Sequence, residues 1–149
     1  MPVEFVRAAR GAALPQLGQT AGLAVALSQL GERQLVALHT AYARASRLAG
    51  KEAAQAASRL DTGLLVEPAE REVVDALDRA APQIEAALAE DDFDRALAAA
   101  AELGPPLDRF FEDVLVMADD IAVRASRLRL LLDVRDTLGR LGDFAEIPL

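Results

Sequence analysis

The stretch that decides the fold is residues 110–128, which read FFEDVLVMADDIAVRASRL. An apolar run leads into the acidic step Asp119-Asp120, and the residues after this step carry arginines at positions 124, 127 and 129. Aspartate is a preferred first residue of a helix, because its side chain accepts hydrogen bonds from backbone N–H groups of the first turn. The stretch therefore predicts one helix, a sharp corner, and a second helix that begins at the aspartates.

Helical patterns extend on both sides of that stretch. Apolar residues recur at spacings of three and four, and Pro, Gly or Asp residues separate the periodic segments. No convincing strand pattern is found, so we predict an all-α fold, a helical bundle of about six to seven helices with short connections. The predicted helices span residues 3–14, 16–30, 32–49, 68–89, 93–103, 106–116 and 120–141.

Two prolines bear on the fourth predicted helix. Pro68 suits its first position, where the backbone N–H has no partner within the helix. Pro82 lies inside the helix and is expected to kink or break it. We treat residues 1–149 as a single helical domain, in which residues 1–31 form lead-in helices and residues 32–149 form the main bundle.

The composition limits which functions are open to the chain. It has 149 residues, of which 52% are hydrophobic, enough for one domain with a sizeable core. It contains no cysteine and a single histidine, His39, so we predict no disulfide, no metal site, no cofactor and no catalytic centre. No apolar run approaches the ~20 residues that span a bilayer, and the first residues lack the pattern of a secretory signal. A cytoplasmic location is therefore expected.

Charge is distributed unevenly along the chain. The net charge of −8 taken alone argues against binding to nucleic acid. Residues 33–51, however, carry four cations and no acid, whereas residues 52–102 carry 13 acids and four arginines. A phosphate group responds mainly to charges within about 8 Å at physiological salt, so a single basic helix can still contribute to RNA binding.

The cations of the third predicted helix share one side, which we name the cationic ridge. Its members are Arg33, Arg44, Arg47 and Lys51. With about 100° of rotation per residue, all four lie opposite the apolar stripe of the same helix. The ridge is a functional surface, a plain solvated face, or a face that pairs with the acidic segment 52–102. Tyr42 lies on the apolar stripe, so a core position is expected for it, with base stacking as the alternative.

The last predicted helix has a broad apolar arc and is expected to be largely buried. Arg124 falls within that arc, which favours a structural ion pair with Asp120 or with an acid on a neighbouring helix. Arg127 and Arg140 lie on the flanks of the helix, so they are better placed than Arg124 to contact a ligand.

Five blocks of the sequence carry a family resemblance. They are AYARASRL at 41–48, LLVEPAE at 64–70, DDFDRAL at 91–97, the run from PLDRFF at 106–111 through Leu131, and GDFAEI at 142–147. In order and spacing they resemble the C-terminal anticodon-binding domain of the β subunit of bacterial glycyl-tRNA synthetase, the DALR domain. The chain departs from that family at Ala43, Arg47 and Ser126, where family members carry lysine, asparagine and asparagine.

The resemblance implies a domain that is not catalytic by itself and that binds the anticodon loop of tRNA. It also implies two protein partners, the synthetase α subunit and the rest of the β subunit. Single-stranded RNA loops are bound through stacked bases and through cations that contact phosphates. The candidate RNA-binding residues are therefore Arg44, Arg47, Lys51, Arg127 and Arg140, with Tyr42 as the candidate for base stacking.

An alternative function retains the helical fold but does not involve RNA. A stand-alone paralogue of the domain could act as a protein-interaction module. The net charge of −8 and the departures from the family pattern favour this alternative.

Overall fold

The computed structural model describes residues 2–12 and 17–147, and seven α-helices lie within these ranges. They are α1 (Val3–Arg10), α2 (Leu17–Gln29), α3 (Glu32–Lys51), α4 (Pro68–Ala89), α5 (Phe93–Ala101), α6 (Gly104–Asp113) and α7 (Ile121–Gly139). Short 3-10 turns occupy Ala53–Gln55, Thr62–Leu64 and Phe144–Glu146. The described residues contain no strand, so the predicted all-α class is confirmed. The predicted helix ends at residues 14 and 16 lie outside the described residues.

The core is built from several helix pairs. α3 packs mainly against α7, α4 packs against α5 and α6, and α1 packs against α2. α7 is buried around nearly its whole circumference, chiefly by leucines, which confirms the prediction that this helix is largely buried. None of the helices in the described ranges is both long and apolar enough to cross a lipid bilayer.

Aspartates begin two of the helices, one of which is α7, as predicted. The Asp120 carboxylate accepts hydrogen bonds from the backbone N–H groups of Ala122 at 2.9 Å and Val123 at 3.1 Å. The Asp92 carboxylate accepts one from the N–H of Arg95 at 3.2 Å. Both carboxylates satisfy donors of a first turn that have no partner within the helix.

Of the two outcomes expected at Pro82, a kink or a break, the break does not occur, because α4 runs without interruption from Pro68 to Ala89. Pro82 is exposed, so the carbonyl group that loses its N–H partner can bond to water. Ala80 and Ile84, both buried, hold the opposite face of the helix against the core. Gly50 likewise does not end α3, which continues to Lys51.

The predicted end of the sixth helix is also wrong, since α6 stops at Asp113 rather than at Val116. Val114 is extended, with φ −118° and ψ 128°. Val114 and Val116 are buried, whereas Leu115 between them is 71% exposed. This alternation is typical of extended backbone, so the connection between α6 and α7 buries its two valines and turns one leucine outward.

A buried ion pair joins three segments of the bundle. The Glu70 side chain is 0% exposed, and its carboxylate pairs with the guanidinium group of Arg127, whose side chain is 12% exposed. The same carboxylate accepts the backbone N–H of Glu67 at 3.1 Å, at the start of α4. Arg127 also donates to the carbonyl of Leu115 at 2.6 Å. The pair therefore connects the start of α4, the α6–α7 connection and α7.

The helix α1 is attached to the C-terminal part of the chain. The backbone N–H of Asp143 donates to the carbonyl of Ala8 at 2.8 Å. Gly142 precedes this contact with φ +134°, and a Cβ at Gly142 would lie 2.4 Å from the carbonyl oxygen of Ala8. Only glycine fits both the backbone conformation and this close approach.

Truncation of Phe110 tests the placement of α6. Its ring is 0% exposed, so Phe110→Ala is expected to lower the free energy of unfolding by about 3–5 kcal/mol through loss of apolar burial and a residual cavity. Urea denaturation followed by circular dichroism measures this value. A loss below about 1 kcal/mol would show that the ring does not support the core in solution.

Removal of Glu70 tests the buried ion pair. Glu70→Ala leaves the Arg127 charge without a partner in the interior and is expected to cost about 3–5 kcal/mol of unfolding free energy. Glu72→Ala is the matched control on the same helix, because it breaks the half-exposed pair between Glu72 of α4 and Arg109 of α6 and should cost at most about 1 kcal/mol. Similar losses in the two variants would contradict the role assigned to Glu70.

Candidate RNA-binding surface

The cationic ridge lies along the outer face of α3. Arg33, Arg44, Arg47 and Lys51 are all exposed. The opposite face of the helix is buried through Leu38 and three alanines. Three of the cations follow one another at spacings of three and four residues, so their side chains form one row. Arg33 lies roughly 16 Å earlier along the helix axis and stands apart from that row.

The ridge cations differ in their protein partners. Arg44 Nη1 lies 3.4 Å from Asp108 Oδ1 on α6, and the two side chains are 50% and 64% exposed. An exposed pair of this kind contributes only about 0.2–1 kcal/mol, so a competing anion can replace it. Within residues 2–12 and 17–147, Arg33, Arg47 and Lys51 form no ion pair. Their charges are available to an external anion.

An open pocket adjoins the ridge between α3 and α6, and we name it the Phe111 pocket. It has a volume of about 430 Å³ and is lined by Arg44, Arg47, Leu48, Lys51 and Phe111. Leu48 and Phe111 are half-buried and pack against the core, so they form an apolar floor. The Cζ atom of Arg44 lies 5.4 Å from the centre of the Phe111 ring, within range of a cation–π interaction. The pocket combines an apolar floor with a positive rim.

Tyr42 lies on a different face of α3, about 200° of helical rotation from Arg44. Its half-buried ring meets the ring of Phe144 edge-on, with centroids 5.8 Å apart and an interplanar angle of 63°. Burial, and secondarily the nearby Asp143 carboxylate, raise the pKa of Tyr42 above its ordinary value, so its hydroxyl is neutral at physiological pH. This position favours the core role and separates Tyr42 from the ridge cations.

Arg127 has partners within the bundle and is not among the residues that line the Phe111 pocket. The Arg127 guanidinium group is occupied by the buried Glu70 carboxylate and by the carbonyl of Leu115. A buried charge separated from its partner is strongly unfavourable, so an RNA phosphate cannot easily draw this side chain outward. The geometry favours a structural role for Arg127, in contrast to the RNA contact predicted from its place on the helix flank.

Arg140 is exposed at the end of α7 and pairs with Glu85 of α4. The two side chains are 43% and 56% exposed, so the pair is a weak one that can exchange for a phosphate. Its carboxylate partner belongs to the acidic segment 52–102. Arg140 therefore faces a less favourable field for RNA than Arg47 and Lys51 do.

The predicted ion pair of Arg124 is wrong. Its guanidinium group donates to the carbonyl of Ala118 at 3.3 Å, and within the described part of the chain it forms no ion pair. The carboxylate of Asp120, the expected partner, is instead occupied by the first backbone N–H groups of α7. Because Asp120 caps α7, its carboxylate does not pair with Arg124.

Phe111 lines the candidate surface and was not predicted from the sequence. Adjacent residues on a helix point about 100° apart, so two neighbouring rings cannot both face the same core. Phe110 is 0% exposed, and Phe111 lies beside it at the edge of the bundle. The helical period alone could have indicated that one of the two rings lines a surface.

The chemistry of this surface is suited to binding. Among the residues that the structure describes, no three acidic or histidine side chains converge on a position that could hold a metal ion. The exposed groups beside the Phe111 pocket are guanidinium and ammonium donors, which attract anions and hold them by charge and hydrogen bonds.

Comparison with known proteins gives several relatives of one kind. The chain is 38% identical over 114 residues to the glycine–tRNA ligase β subunit of Thiobacillus denitrificans, an alignment that covers 76% of this chain and 16% of the relative. The corresponding subunits of Shewanella sediminis and Anaeromyxobacter dehalogenans are 40% and 37% identical. Those alignments cover 69% and 74% of this chain, and 15% and 16% of the relatives. The chain thus spans only a small part of the length of the curated relatives that it matches.

A family model also matches most of the chain. The model described as the DALR anticodon binding domain matches residues 38–148. The matched region contains α4 to α7, all of α3 except its first turns, and every residue that lines the Phe111 pocket. The family is a binding domain by its description, in agreement with the prediction that this chain carries no catalytic centre. Because the match covers well over half of the sequence, this chain belongs to the DALR anticodon-binding domain family.

Proposed function

We propose that this chain binds the anticodon loop of a glycine tRNA, and that the cationic ridge is the face that meets the RNA. The observation that carries the proposal is the pair Arg47 and Lys51, which lie one helical turn apart, exposed and without a carboxylate partner among the described residues. A chain of net charge −8 that leaves two adjacent cations unpaired has a local field suited to phosphate.

The arrangement fits a loop better than a duplex. The row of ridge cations is short, and the neighbouring segment 52–102 is strongly acidic, so only a few phosphates can approach at once. A single-stranded loop presents both a bent backbone and unstacked bases over such a small area. Few phosphate contacts also mean that binding by this chain alone is weak and sensitive to salt.

The relatives suggest a larger assembly. They are named as β subunits of glycine–tRNA ligase, and this chain spans 15–16% of the length of those compared. We propose that the chain works with the rest of a β subunit and with an α subunit that activates glycine. The expected compartment then remains the cytoplasm.

The lead-in helices are proposed to belong to the same domain as the matched region. The hydrogen bond between Asp143 and Ala8 supports this, because it fastens α1 to the turn that follows α7. α2 also packs against α5. Residues 1–149 are thus treated as one unit, although the family match begins at residue 38.

A second function, protein interaction without RNA, is favoured by one observation. Leu115 and Ile121, on either side of the α6–α7 corner, are 71% and 72% exposed. Large exposed apolar side chains are suited to contact with another protein. Failure to bind tRNA would favour this function over the first.

The direct test is a comparison of two tRNAs. Binding is measured by fluorescence anisotropy for glycine tRNA and for a version with the two anticodon cytosines replaced, each at low and at moderate salt. We expect tighter binding to the unchanged tRNA at both salt concentrations. Equal affinities that vanish together at moderate salt, or no binding at all, would support the protein-interaction function instead.

Arg47→Ala tests the ridge. The salt slope is the steepness with which the logarithm of the binding constant falls as the logarithm of the salt concentration rises, and loss of one phosphate contact should lower it by about 0.7. Binding should weaken about fivefold near 0.1 M salt, without a change in thermal stability. Arg44→Ala is expected to act in the same direction. Arg79→Ala is the matched control, since it removes the same charge from an exposed position on α4. An equal effect of Arg79→Ala would mean that only net charge matters, and unfolding by Arg47→Ala would make Arg47 structural.

A further inference from the structure

We propose that the Phe111 pocket takes one unpaired base of the bound RNA, with the base stacked on the Phe111 ring and its phosphate held by Arg47 and Lys51. This inference rests on the proposed function and assigns its base-stacking residue. The ligand is a single-stranded nucleotide, which has a flat apolar face at one end and a negative charge at the other. The pocket has the matching parts, an apolar floor and a positive rim, within about 430 Å³.

The ring of Phe111 packs against a buried aromatic neighbour. The ring of Phe110 meets it edge-on, with centroids 5.4 Å apart and an interplanar angle of 82°. Phe110 is itself 0% exposed, so the core determines the tilt of its neighbour. A ring held in this way offers a base a stacking surface that loses little freedom on binding.

The Arg44 guanidinium group already occupies the place proposed for the base. It lies over the Phe111 ring at 5.4 Å and is also 3.4 Å from the Asp108 carboxylate. Stacking of a base on an aromatic ring is a stronger interaction than an exposed cation–π contact. The base therefore displaces Arg44, and the displaced guanidinium group remains held by Asp108.

Asp108 also sets the direction in which the nucleotide lies. Paired with Asp108, Arg44 carries little net charge to offer, so the Arg44 end of the pocket attracts a phosphate less strongly. Arg47 and Lys51 have no carboxylate partner among the described residues, so the phosphate is drawn to their end. Base and phosphate are thus separated along the row of ridge cations.

Stacking on a phenyl ring does not depend strongly on which base is stacked. The Phe111 pocket therefore selects an unpaired base over a paired one, and recognition of the base identity must come from other contacts. The test therefore measures overall affinity and discrimination between bases separately.

The test compares Phe111→Leu with the unaltered protein for binding to the anticodon stem-loop of glycine tRNA. We expect about tenfold weaker binding, within the range for loss of one base–aromatic stack, and an unchanged salt slope because no charge is removed. The ratio of affinities for the normal and the cytosine-replaced loops should also stay the same. Phe111→Trp should bind at least as tightly as the unaltered protein.

Phe5→Leu is the matched control, because Phe5 is another half-buried phenylalanine that packs on the core, in α1 outside the pocket. It should leave RNA binding unchanged. As a direct readout of stacking, 2-aminopurine is placed at each loop position in turn. One position should show fluorescence quenching on binding that Phe111→Leu abolishes.

The outcomes separate this inference from the proposed function. If the unaltered protein binds the stem-loop and Phe111→Leu binds within twofold of it, the inference is overturned and the proposed function stands. If Phe111→Leu lowers the salt slope as Arg47→Ala does, the residue acts through the cations, and the inference is likewise overturned. If the unaltered protein does not bind the stem-loop, both fail together.

Discussion

The carboxylate of Glu70 is the group on which the arrangement of the helices most depends. It lies in the interior, where an unpaired charge is costly, and it is satisfied by two different segments. One bond closes the first turn of α4, and the other draws in Arg127 of α7. Arg127 in turn holds the carbonyl of Leu115 and thereby fixes the α6–α7 connection. The position of α6, and with it the ring of Phe111 beside α3, follows from this network and from the packing of Phe110.

Much of the fold could be predicted from local sequence. The caps at Asp92 and Asp120 act through residues two or three positions away, so their pattern is visible in the sequence alone. The burial of α7 follows from leucines that form a broad arc around the helix. The end of α6 could not be located in the same way, because the alternating burial of Val114 and Val116 depends on where the connection lies in the tertiary structure.

The candidate site was predicted only in part. Helical periodicity correctly put Arg44, Arg47 and Lys51 on one exposed row, because that is a property of a single helix. It could not show that Arg127 meets Glu70, since 57 residues separate the two in sequence. The same limit applies to the Phe111 pocket, whose walls come from two helices. A helical wheel shows on which side of a helix a side chain lies, whereas its partners depend on the tertiary structure.

The α6–α7 connection has a property that follows from how it is held. Arg127 binds the main-chain oxygen of Leu115, an atom that every residue type possesses, while the leucine side chain projects into solvent. The hydrogen bond that holds the loop therefore does not depend on the side chain at position 115. Evolution can alter that outward surface freely, and an engineer can attach a fluorophore or a crosslinker there, without loosening the scaffold beneath it.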